Sequence, residues 1–236
     1  MSADTGKADV LIAVNDVLFD QNVIGGKSVI HNREESDGHL IWDAIKEEFG
    51  PMDFNYCDYA FSKSWRRAFD EDPSVWGLEP PDLDYKKVAE RFSELYYTGD
   101  ICNGPRRRLL DALSEGRNLY AIWSTLDEDV EEKLELSGLK SYFKRCFVCD
   151  SFEREFGREI MSREYYTGTL RKGIDELSGK SYAPVWFISD HEGFYKKCYF
   201  NQIIYYDPHR LIGWELPCGH VVKNYDEILQ VMKITK

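Results

Sequence analysis

Asp9-Val10-Leu11-Ile12-Ala13-Val14-Asn15-Asp16-Val17-Leu18-Phe19-Asp20 decides the fold. The stretch opens as a short apolar run, the pattern of a strand buried on both faces of a parallel sheet. It then breaks at the polar pair Asn15-Asp16. In an α/β sheet such a break is where a ligand site forms, beyond the carboxyl end of the strand. The spacing predicts a first strand over about residues 9–15, preceded by a loose tail.

Outward from this strand the chain first turns helical. Leu40, Ile41, Ala44, Ile45 and Phe49 recur at helical spacing, and Gly50-Pro51 ends that helix. Further helices are predicted over 59–69 and 84–97. Strand–helix alternation follows: a helix starting at Gly104-Pro105 and ending at Gly116, a strand over 118–125, and a helix over 127–136. Strands over 145–149, 184–190 and 202–206, a helix over 163–177, and a closing strand and helix over 221–229 complete it. Alternation of this kind predicts an α/β fold, a three-layer Rossmann-like parallel sheet. The helical segment after the first strand reads as an inserted cap. The expected organisation is a core of residues 1–21 and 98–236 with a helical cap of residues 22–97.

Composition narrows the function. A net charge of −12 opposes binding to nucleic acid or to an anionic membrane, since a basic footprint drives both. Arg106-Arg107-Arg108 is the one dense basic cluster and reads as a solvated helix face. No apolar run reaches the roughly 18 residues of a membrane helix. The first residues lack the basic start and apolar stretch of a signal peptide. A soluble, cytoplasmic protein is expected. Cys146-Phe147-Val148-Cys149 has CxxC spacing but lies in an apolar segment without the turn residues of a redox or zinc site. The cysteines therefore read as reduced and packed in the core.

The first stretch resembles motif I of the haloacid dehalogenase-like (HAD) hydrolases, an apolar strand followed by Asp-x-Asp-Gly-(Thr/Val)-Leu-x-Asp. Aligned on Val17-Leu18-Phe19-Asp20, the nucleophilic Asp of the family falls on Ala13, the second Asp on Asn15 and the Gly on Asp16. The resemblance extends by order and spacing over about residues 8–232. Motif II, an apolar strand ending in a hydroxyl, is matched by Ser124, with Thr125 next; the same hydroxyls also suit a helix cap. Motif III would supply a lysine, but Ile160-Met161 stands there and the nearest cation is Arg158. Motif IV keeps one carboxylate, Asp190, with Glu192 nearby.

In such a hydrolase one carboxylate attacks phosphorus, a second moves protons, and Mg²⁺ offsets phosphoryl charge. Ala13 cannot attack, and Asn15 cannot donate and reclaim a proton. Alterations at 13, 15, 16 and 160 together imply a degenerate, catalytically inactive HAD-like protein kept for binding or assembly. The implied partner is another protein or a phosphate-bearing small molecule held through Ser124, Thr125 and Arg158; no cofactor is expected. One alternative is an active hydrolase with a displaced site, in which Asp16, Asp20 and Asp190 hold Mg²⁺ and Asp16 or an activated water attacks. The other is a structural subunit of a larger complex.

Overall fold

Apolar runs dictate the centre of the molecule. The computed structural model describes residues 8–14, 17–19, 37–51, 84–124, 130–149, 185–189, 202–208 and 219–234. Among these, six strands form one sheet: β1 (Asp9–Ala13), β2 (Leu119–Ser124), β3 (Phe143–Cys149), β4 (Val185–Ser189), β5 (Gln202–Tyr206) and β6 (His220–Val222). Their order is β3-β2-β1-β4-β5-β6, and every pairing is parallel. The described helices are α1 (Asp37–Phe49), α2 (Tyr85–Tyr97), α3 (Asp100–Ser114), α4 (Val130–Leu136) and α5 (Tyr225–Val231). The fold is α/β with a parallel sheet, as the alternation predicts. Strand order runs one way from β1 to β3 and the other way from β4 to β6. Because parallel crossovers are right-handed, that reversal sends them to opposite faces of the sheet.

The first strand is central for a physical reason. Val10, Leu11 and Ile12 are completely buried, and so are Phe187 and Ile188 on the neighbouring β4. A strand covered on both faces needs apolar residues at successive positions, not at alternate ones. The amino end of β1 is tied to that of β2, since Asp9 accepts from the backbone N–H of Asn118 at 2.9 Å and from its Nδ2 at 3.1 Å. Burial and the Asp9 carboxylate hold the Tyr120 phenol above its usual pKa. This polar cluster belongs to the end of the sheet opposite the polar break.

β1 stops at Ala13, two residues short of the predicted end. Val14 still donates to the Ile122 carbonyl at 2.9 Å, but the amides of Leu18 and Phe19 fold back onto the Val14 carbonyl at 2.9 and 3.3 Å. That turn draws Val17, Leu18 and Phe19 into the core at 2% exposure or less.

At the other end of the sheet, Gly219 precedes β6 with φ +93°, a backbone conformation that side chains disfavour. A Cβ there would lie 2.8 Å from the Tyr205 ring and 2.9 Å from the Ile203 carbonyl. Asn224 caps α5 by accepting from the Glu227 N–H at 2.9 Å, and Glu227 reaches back to the Lys223 N–H at 2.7 Å. Asn224→Ala is expected to cost about 1 kcal/mol of stability, measurable as a lower urea midpoint at unchanged slope.

The chain divides into two compact units. One comprises Met1–Phe19, Arg108–Glu135 and Leu139–Lys236 and contains the sheet; the other comprises Asp20–Arg107 and Leu136–Gly138. Within the second unit α1 and α2 touch, burying Ile41 and Ile45 on one helix and Val88, Ala89 and Phe92 on the other. Arg91 bridges them by bonding Glu48 at 2.8 Å, and also bonds Glu94 of its own helix at 2.6 Å. Gly50, with φ +88°, ends α1 by donating to the Lys46 carbonyl.

Two expectations are corrected here. Helix α3 starts at Asp100, not at Gly104-Pro105, and Pro105 sits inside it. Polar anchoring outweighs the bond the proline cannot make: Asn103 donates from its backbone to the Gly99 carbonyl and from its side chain to Ser137, both at 2.9 Å. Nor do the three arginines form a solvated face. Arg107 and Arg108 are exposed, but Arg106 is buried, donating to the Tyr96 carbonyl at 2.6 Å with its guanidinium 4.4 Å from the Tyr96 ring centroid. The helices predicted over 59–69 and 163–177 lie outside the described residues.

Candidate active site at the carboxyl edge of the sheet

Strand register brings two of the sequence-derived positions, Ala13 and Ser124, to one edge, with Ser189 beside them. Ala13 ends β1 opposite Ile122, so β2 runs two residues further to its last residue, Ser124. On the other side Ile12 lies opposite Ile188, and Ala13 and Ser189 follow as the next residues of their strands. Ala13, Ser124 and Ser189 thus close the three adjacent strands β1, β2 and β4 at their carboxyl ends. This is the point where the strand order reverses, and open α/β sheets bind ligands in the crevice beyond it.

The chemistry at that edge is sparse. Ala13 is half-buried and carries only a methyl group. The amides of Val14, Leu18 and Phe19 are committed to internal carbonyls, so these three donate nothing to a ligand. Asn15, Asp16, Thr125, Arg158 and Asp190 lie outside the described residues, as does the side chain of Ser124. Among the described residues, no group of three or more His, Cys, Asp or Glu side chains is placed to hold a metal ion.

Asp207 is a carboxylate at this edge that the reading of the sequence passed over. It follows β5, is 6% exposed, and donates its backbone N–H to the Val222 carbonyl at 2.7 Å. Two strand spacings separate β5 from β1, roughly 10 Å. The signal was present, since Gln202–Tyr206 is an apolar strand followed by Asp207-Pro208, the same pattern that singled out Asp190.

The cysteines carry no activated thiol among the described residues. Cys102 is buried and Cys146 half-buried, and neither forms a disulfide. Burial pushes the Cys146 thiol above its usual pKa, the opposite of what a nucleophilic or redox cysteine needs. Lys140 accompanies it on the surface, held protonated by hydrogen bonds to Glu131 and Glu135 at 2.6 Å each. No described helix is long and apolar enough to cross a membrane.

No family model matches the chain, and no curated protein matches it in sequence. Among solved structures, L-2-haloacid dehalogenase from Xanthobacter autotrophicus with chloropropionic acid covalently bound is similar at 14% identity and a TM-score of 0.48, over 98% of this chain and 99% of that one. YfnB of Bacillus subtilis, a proposed HAD hydrolase with magnesium bound, is similar at 13% identity and a TM-score of 0.47, over 97% and 100%. The haloacid dehalogenase-like protein SP0104 from Streptococcus pneumoniae is similar at 11% identity and a TM-score of 0.43, over 96% and 99%.

Proposed function

We propose that this chain is a HAD-like protein without hydrolytic turnover, retained to bind a phosphate-bearing small ligand or a protein partner. One observation carries the reading: the residue that ends the central strand, at the reversal of strand order, is Ala13. A methyl group forms no phosphoryl or acyl ester, so the covalent route is closed at the position where the motif places its nucleophile. Asn15 removes the proton-transfer partner in the same stretch. Loss of groups that act together costs several orders of magnitude in rate, so residual turnover at this site is negligible. On this reading no metal cofactor is needed, because the crowded carboxylates that call for one are missing from the motif.

The test is phosphate release from a broad phosphomonoester panel with Mg²⁺. The parent chain is expected to release none above a buffer blank. Magnesium-dependent release abolished by Asp16→Asn would replace this reading with an active, displaced site. Co-purification with one stable partner, independent of added phosphate compounds, would assign the chain to assembly and not to metabolite binding.

A further inference from the structure

We propose that Tyr225 is a positioning residue for the candidate site, holding the turn that leaves β1 from a distant part of the chain. Its hydroxyl donates to the Val17 carbonyl at 2.7 Å, across 208 residues of sequence. Val17 follows Asn15 and Asp16 in sequence and belongs to the turn that begins at Val14, one residue past Ala13. The Leu18 and Phe19 amides close the turn from within; Tyr225 fastens it from outside.

The fastening point is itself rigid. Tyr225 is the first residue of α5, directly after the Asn224 cap, which accepts from the Glu227 N–H at 2.9 Å and donates from Nδ2 to the Glu227 carboxylate at 3.3 Å, fixing the helix end. Its ring stacks on Tyr206, the last residue of β5, with centroids 5.3 Å apart and planes 25° apart. Sheet and helix cap therefore both constrain where the hydroxyl points. A hydrogen bond made from such a preorganised group does not first have to order its donor, so its contribution falls on the turn. The turn in turn sets the backbone at the end of β1, where a ligand would meet the sheet. The importance of this for binding rests on the function proposed above; the clamp itself does not.

Tyr225→Phe removes the hydroxyl and keeps the stacked ring. Hydrogen exchange resolved to single amides should then quicken about tenfold at Leu18 and Phe19, with Leu11 and Phe187 unchanged. Unchanged exchange at Leu18 and Phe19, or an equal rise across the sheet, would overturn the clamp. A second measurement addresses the link to the site. In an Ala13→Asp/Asn15→Asp background, adding Tyr225→Phe should lower kcat for phosphomonoester hydrolysis about tenfold while KM stays constant; an unchanged kcat would overturn that link. If the background variant releases no phosphate, the assignment of the strand tip as a former hydrolase site fails, while the exchange measurement still decides the clamp.

Discussion

Magnesium-dependent phosphate release should appear in an Ala13→Asp/Asn15→Asp variant, at least about 100-fold above the parent chain. The two changes return a nucleophile and a proton carrier to the spacing that the motif uses. Position 13 can take the carboxylate. It is half-buried, whereas Val10, Leu11 and Ile12 before it are fully buried, so the new charge is not forced into an apolar core. Position 13 also lies at the carboxyl end of the central strand, beside the ends of β2 and β4. The single variants should each stay near the parent rate, because neither group works without the other. The measurement is released phosphate against time with and without Mg²⁺. A double variant as inert as the parent would overturn the assignment of the strand tip as a former hydrolase site.

The largest expected loss of stability is for Phe187→Ala, about 3–5 kcal/mol, read as a shift of the urea midpoint for the sheet-containing unit. Phe187 is completely buried in β4, opposite Leu11 of β1 on one side and Ile203 of β5 on the other. Truncation removes the ring from the middle of the sheet and leaves a cavity that flanking strands cannot close without breaking register. A loss of that size approaches the whole stability of many domains. Ile188→Val, which removes one methylene at the adjacent buried position, gives a graded comparison at about 0.5–1.5 kcal/mol. Val221→Ala, at 43% exposure, should stay within about 0.5 kcal/mol of the parent. Equal effects at the buried and exposed positions would contradict the placement of β4 at the centre.

The strands were legible because burial on both faces leaves a local mark. Residues 119–123, 185–188 and 203–206 within β2, β4 and β5 each announce themselves as uninterrupted apolar runs. What escaped depends on partners far away in sequence. Nothing around Pro105 reveals that Asn103 will bond Ser137, which is what carries α3 back to Asp100. The burial of Arg106 likewise depends on the Tyr96 carbonyl and ring. Of the candidate site, motif spacing located Ala13 and Ser124, whose strands do end side by side. Tyr225 gave no signal, since its bond to Val17 links the two ends of the chain. Asp207 did give one, in the apolar strand before it.

The position of β1 has a consequence for synthesis. Its two neighbours in the sheet are encoded at residues 119–122 and 185–188, so β1 is made well before either strand that will enclose it. At about 5–20 residues per second, roughly ten to thirty-five seconds pass between emergence of β1 and emergence of β4. Throughout that interval Val10-Leu11-Ile12 is an unsatisfied, aggregation-competent edge on the nascent chain, a substrate for holding chaperones. A circular permutant that begins before β2 makes β1 after β6, when both of its sheet neighbours are already present, and so removes this wait.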